Sequence, residues 1–125
     1  MECLIIDDDL DDQEIFLLIL NNVNPAIKCF TADNGLEGLQ LLEEKIDFIP
    51  KYIFIDINMP KMNGIDCLQK IKAIQRLKNS KIFMYSTTMD TKAFEKSKAM
   101  GATDFIVKPT RPADLKNVLT KILMA

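Results

Sequence analysis

The stretch Tyr52-Ile53-Phe54-Ile55-Asp56-Ile57-Asn58-Met59-Pro60 decides the fold. An apolar run carries a carboxylate to its end, and Pro60 then halts it. A short run rich in Ile, Phe and Tyr and bounded by breakers is the expected signature of a parallel strand covered on both faces. Packing asks for no aspartate at its end, and a lone carboxylate is costly to desolvate. Asp56 is therefore expected at the edge of a sheet, with partners supplied by the rest of the chain.

Upstream, Cys3-Leu4-Ile5-Ile6 has the character of a buried strand and runs into Asp7-Asp8-Asp9. A helix is expected over about residues 10–23, where Phe16, Ile19, Leu20 and Val23 recur at helical spacing. Asp9 suits its cap, and Asp11, Asp12 and Glu14 suit the positive end of its dipole. Asn24-Pro25 breaks this helix, and Ile27 to Thr31 forms a second, more polar strand nearer a sheet edge. A helix after Asn34-Gly35 carries Leu36, Leu39, Leu42 and Ile46 on one side, and Pro50 closes the loop before the strand that begins at Tyr52. Downstream, Lys61-Met62-Asn63-Gly64 leads into a helix with Leu68, Ile71 and Ile74 facing the sheet. Lys81 to Tyr85 is a fourth strand, followed by Ser86-Thr87-Thr88. A lysine-rich helix over about residues 91–100 ends at Gly101, which suits a left-handed cap. Thr103 to Val107 is a fifth strand, then Lys108-Pro109. A last helix from Pro112 places Leu115, Val118, Leu119 and Ile122 on one face. Five strands alternating with five helices require crossover connections, hence a parallel α/β sheet covered on both faces.

At 125 residues the chain is expected to form one domain, residues 1–125, with no linker, repeat or output domain attached. Its net charge of −2 gives no general attraction to nucleic acid or anionic membrane. No apolar run approaches the roughly 20 residues needed to span a bilayer, and the acidic start lacks the features of a signal peptide. Cys3, Cys29 and Cys67 are widely spaced and lie in or beside apolar stretches, as expected of buried free thiols in a reducing cytoplasm. The chain has no histidine. Zinc and histidine-based catalysis thus lack their usual ligands, and any metal must be held by oxygen, which suits magnesium, manganese or calcium.

In such a sheet, ligands bind outside the carboxyl ends of the strands. Those ends carry Asp7-Asp8, Asp56, Ser86-Thr87 and Lys108, with Asp33 after the second strand. Singly, each has a simpler explanation: turn and capping residues for Asp7 to Asp9, an ordinary polar loop for Ser86 and Thr87, a solvated surface lysine for Lys108. Together, Asp7, Asp8 and Asp56 repel one another unless a divalent cation and Lys108 neutralise them. Oxygen ligands suit magnesium, and a carboxylate beside that ion can attack phosphorus to give an aspartyl phosphate. Lys108 and the metal would stabilise the phosphoryl oxygens, and the Ser86 hydroxyl could donate to them. The donor must come from outside the chain.

These residues carry a resemblance to the receiver domain of two-component response regulators that covers the whole chain. The matching pieces are Leu4-Ile5-Ile6-Asp7-Asp8, Phe54-Ile55-Asp56-Ile57-Asn58-Met59-Pro60 with Asn63-Gly64, Tyr85-Ser86-Thr87, Gly101-Ala102 and Phe105-Ile106-Val107-Lys108-Pro109. The resemblance implies a flavodoxin-like (βα)5 fold with strand order 2-1-3-4-5. It implies Asp56 as phosphoacceptor, and magnesium or manganese on Asp8, on Asp7 through water, on Asp56 and on the Asn58 backbone carbonyl. Lys108 would pair with the acceptor and then the phosphoryl group, from a cis Lys108-Pro109 bond. Ser86 would be the switch hydroxyl, with Phe105 turning inward as Ser86 moves. Serine stands where threonine is commoner, and phenylalanine where tyrosine is frequent. Asn58 and Thr88 occupy the positions that tune dephosphorylation.

The resulting expectation is a stand-alone, cytoplasmic phosphorelay switch. It would receive its phosphoryl group from a sensor histidine kinase or a histidine phosphotransfer protein. It would signal to another protein through the face built from the fourth helix, fifth strand and fifth helix, and catalyse only its own phosphorylation and dephosphorylation. One alternative is a magnesium-dependent phosphohydrolase of the haloacid-dehalogenase kind, against which stand the missing Asp-x-Asp-x-Thr motif and the lack of a cap. Another is a scaffold indifferent to phosphorylation, which would not need the acidic pair, acceptor and lysine together.

Overall fold

A computed structural model describes residues 1–124. The strands are β1 (Glu2–Ile6), β2 (Lys28–Ala32), β3 (Tyr52–Ile55), β4 (Lys81–Ser86) and β5 (Asp104–Val107). They alternate with helices α1 (Leu10–Val23), α2 (Gly35–Glu44), α3 (Gly64–Lys72), α4 (Thr91–Ala99) and α5 (Pro112–Met124). The strands form one parallel sheet in the order β2-β1-β3-β4-β5, the flavodoxin-like arrangement expected. None of these helices is long and apolar enough to cross a membrane.

Alternation along each strand divides the core in two. Leu4, Ile6, Ile53, Ile55, Ile82 and Met84 pack with Leu42 of α2 and Leu68 and Ile71 of α3. Cys3, Ile5, Phe54, Phe83 and Tyr85 face the other way, onto Phe16 and Leu20 of α1 and Leu115 and Leu119 of α5. The Phe16 ring meets Phe54 edge-on at 4.8 Å, and Phe54 stacks on Phe83 at 5.3 Å. The more polar β2 lies at a sheet edge, as expected, because only a strand with an open side can keep Lys28 and Thr31 in water.

Local chemistry sets the helix starts. Asp9, Asn34, Asn63 and Asp90 each accept backbone N–H groups of the first turn of the following helix, which satisfies donors with no partner inside it. Gly101 adopts φ +97° after α4, the left-handed conformation expected there. Two apolar positions assigned to the core side of α2 are in fact exposed, Leu36 and Ile46. The helix ends at Glu44, so Ile46 falls outside the repeat, and Leu36 sits in the first turn beyond the covering of the sheet. A 3-10 turn at Gln75–Leu77, not expected from the sequence, follows α3. Its Arg76 guanidinium donates to the Leu42 and Lys45 carbonyls at the end of α2.

The loop after β3 is tightly determined. Met62 N–H donates to the Pro60 carbonyl at 2.7 Å, with Lys61 at φ 68°, and Gly64 N–H donates to the Ile57 carbonyl at 2.8 Å. A Cβ on Gly64 would collide with the Asp56 carbonyl oxygen and lie 2.7 Å from the Ile57 Cα. Backbone cannot yield as a side chain does. Gly64→Ala is therefore expected to destabilise the fold by about 3 kcal/mol, read as a lower urea midpoint at unchanged slope, whereas Gly35→Ala, which meets only the Met62 side chain, should cost less.

Candidate functional site

Ladder bonds beyond the strand ends fix the backbone of each site residue. Ile6 pairs with Ala32 and Ile55, so β1, β2 and β3 finish in line, whereas Ile55 pairs with Met84 and β4 and β5 run on together to Ser86 and Val107. Asp7 N–H then donates to Ala32 O at 3.0 Å, Asp56 N–H to Ile6 O at 2.9 Å and Lys108 N–H to Ser86 O at 2.6 Å. Asp7 and Asp56 are consequently buried at the sheet edge, while Asp8 is exposed beside them. One carboxylate oxygen from each of Asp7, Asp8 and Asp56 lies within 4.8 Å of the others.

The lysine enters from the opposite side. Its Nζ is 2.8 Å from Asp7 Oδ2, 2.8 Å from Asp12 Oδ2 and 3.6 Å from Asp56 Oδ2. The Lys108-Pro109 bond is trans, not cis as the resemblance implied. The ladder bond to Ser86 already directs the chain so that the side chain reaches the carboxylates, and trans is the lower-energy isomer. Asp56, Asn58, Thr87 and Lys108 border one crevice. Ser86 is buried behind it, so the hydroxyl on the wall is that of Thr87, and Thr88 is exposed outside it. Phe105 is buried with its ring 5.9 Å from that of Phe94, on the α2–α4 side of the sheet.

Two residues of α1 join the site unforeseen. Asp12 is the second carboxylate on Lys108, although its position in the first turn suggested only a dipole role. Gln13 is buried, and its Nε2 donates to Asp7 O at 2.6 Å, Ala32 O at 3.2 Å and Asp33 Oδ1 at 3.0 Å. The available signal was an amide three residues before Phe16, on the buried side of the helix.

The electrostatics follow from this packing. Burial pushes the Asp56 carboxyl up to about 7, with Lys108 opposing the rise and Asp7 adding to it. Burial also raises Asp7, against the pull of Lys108. For Lys108 burial alone would lower the pKa, but the hydrogen bond to Asp12 and the charges of Asp7 and Asp56 hold it above the ordinary lysine value. It remains an ammonium at neutral pH.

The donor set fits a divalent cation. Asp7 Oδ1 accepts from Asp9 N–H at 3.0 Å, but Asp7 Oδ2 is buried and receives no aligned hydrogen bond. Its neighbour is the Lys108 ammonium, 2.8 Å away but off the hydrogen-bonding direction. A cluster of hard carboxylate oxygens with one such unfilled acceptor suits magnesium or manganese.

The raised Asp56 pKa has a consequence for stability. An unfolded aspartate releases its proton near pH 4, whereas folded Asp56 holds it to about pH 7. Between those values the folded chain binds the extra proton, so the contribution of Asp56 to stability falls as pH rises through that window and is least above it. In metal-free protein, Asp56→Asn should stabilise the fold by about 1–3 kcal/mol at pH 8 and much less at pH 4, measured by urea unfolding at both pH values.

Comparison with known proteins agrees with this fold. The chain is 30% identical over 123 residues to the chemotaxis protein CheY1 of Helicobacter pylori (strain J99), covering 98% of this chain and 97% of that protein. The structure of the chemotaxis protein CheY4 of Vibrio cholerae superposes with a TM-score of 0.83 at 26% identity, over 97% of each chain. The Mn(2+)-bound form of response regulator Rcp1 shares the fold, with a TM-score of 0.83 at 21% identity over 97% of this chain and 90% of that one. The profile of the response regulator receiver domain matches residues 3–120, and the chain belongs to that family.

Proposed function

We propose that the chain is a phosphorylation-dependent signalling switch whose phosphoacceptor is Asp56. The observation that carries this is the buried Asp56 carboxylate at the end of β3, with the Lys108 ammonium 3.6 Å away and Asp7 and Asp8 within 4.8 Å. The donor is a phosphohistidine of a sensor histidine kinase or a histidine phosphotransfer protein. An Asp56 oxygen attacks the phosphorus, the N–P bond of the donor breaks, and the departing imidazole takes up a proton. Lys108 holds its charge throughout and faces the oxygens on which negative charge is redistributed.

Magnesium or manganese would be held by Asp7, Asp8, Asp56 and the Asn58 carbonyl, and would supply positive charge to the phosphoryl oxygens. The manganese named for Rcp1 supports this reading. Hydrolysis returns the carboxylate and releases inorganic phosphate, at a rate tuned by Asn58 and Thr88. The chain turns over no other substrate. Ser86 and Phe105 carry the change to the face made by α4, β5 and α5, where a partner protein in the cytoplasm reads it.

Incubation with magnesium and acetyl phosphate should add one phosphoryl group by intact-mass measurement, and Asp56→Asn should abolish the addition. Lys108→Ala should slow it by about a hundredfold while leaving the far-ultraviolet spectrum unchanged. A mass gain that survives Asp56→Asn would sink the assignment.

A further inference from the structure

Asp12 stands apart from the strand-end acids, on the first turn of α1, yet it makes the best-aligned contact with the lysine. Among the described residues, the hydrogen bond that Lys108 Nζ donates to a side chain goes to Asp12 Oδ2, at 2.8 Å. Asp7 Oδ2 is equally near but lies off the hydrogen-bonding direction, and Asp56 Oδ2 is 3.6 Å away. The ammonium is therefore aimed at the helix and not at the acceptor. The pair also forms a partition, since Asp12 and Lys108 border both the acidic crevice and an adjoining one lined by Ile15, Tyr85 and Leu115. The Lys108 side chain is 8% exposed and that of Asp12 31%, so Asp12 can turn outward into water more readily than Asp7 or Asp56 can.

We infer that Asp12 is a positioning residue, a latch that holds Lys108 in the unphosphorylated protein and gives it up when a phosphoryl group arrives on Asp56. The inference rests on Asp56 being the acceptor. Phosphorylation forms an Asp56 O–P bond, breaks the donor's bond to phosphorus and leaves about one additional negative charge at the site. The ammonium must then serve new oxygens beyond the Asp56 carboxylate, and with its N–H groups finite in number the bond to Asp12 is the one that yields. Asp12 thus competes with the phosphoryl group for one cation and weakens the loaded state relative to a chain without it.

The test uses the full chain with four substitutions. Asp12→Ala removes the acceptor, Asp12→Asn keeps its shape without its charge, and Asp12→Glu restores the charge. Asp11→Asn removes an equal charge from the same helix turn without touching Lys108. With magnesium and beryllofluoride, Asp12→Ala and Asp12→Asn should bind beryllofluoride about two- to fivefold more tightly than wild type, Asp12→Glu close to wild type, and Asp11→Asn unchanged. In metal-free protein, the 15N resonance of the Lys108 ammonium should shift in Asp12→Ala and not in Asp11→Asn. Unchanged or weaker beryllofluoride binding in Asp12→Ala, or an equal gain in Asp11→Asn, overturns the latch while leaving Asp56 as acceptor. A wild type that neither binds beryllofluoride nor gains mass with acetyl phosphate removes the acceptor reading and the latch with it.

Discussion

One ammonium lies at the centre of this molecule's chemistry. Lys108 Nζ sits among Asp7, Asp12 and Asp56, and the chain buries two of those carboxylates outright. A buried carboxylate without a partner costs several kcal/mol, and a lysine placed in the same surroundings alone would also be penalised. Each makes the other tolerable, but the sum remains unequal. Asp7, Asp8, Asp12 and Asp56 bring four negative charges to one lysine, so the site is over-acidic by construction. It attracts cations, and burial together with the neighbouring acids pushes the Asp56 carboxyl up to about 7. The fold is thus built around a region of the sheet edge that resists full ionisation.

The sheet can bear this because its two sides are packed separately. The α2–α4 side is an aliphatic layer anchored by Leu68 and Ile71, and the α1–α5 side is an aromatic one anchored by Phe16 and Phe54. The acidic residues lie where the strands end and both layers thin out. Tyr85 joins the two regions, its ring in the aromatic layer and its centroid 5.4 Å from Lys108 Nζ. Burial raises its phenol pKa, so it stays neutral beneath the charged edge.

Much of this was legible in the sequence. Asp7, Asp8, Asp56 and Lys108 each follow an apolar run, and in a parallel sheet all such runs end at one edge. That logic needs only the alternation of strand and helix. It failed where a residue acts through three-dimensional reach. Asp12 looked like a helix-dipole residue because its partner is 96 positions away, and Gln13 was concealed because a single amide hardly disturbs an amphipathic pattern. The peptide bond before Pro109 could not be read either, since two isomers of similar energy are decided by the loop that contains them. Leu36 and Ile46 both extend the apolar spacing of Leu39 and Leu42 and still face solvent, because the spacing says nothing about where a helix ends or stops covering its sheet.

Gln13 bears on how such a chain can diversify. Its amide ties α1 to the ends of β1 and β2, so the inner face of that helix is committed to holding Asp7 in place. The outer face carries Glu14, Ile15 and Leu18, all exposed and none bonded to the acidic cluster. The two faces are therefore under different physical constraints. Drift on the outer face can re-tune which surfaces this helix meets, generation after generation, without disturbing the inner face. Duplicated copies of the gene could then part company in their associations while retaining the same chemistry.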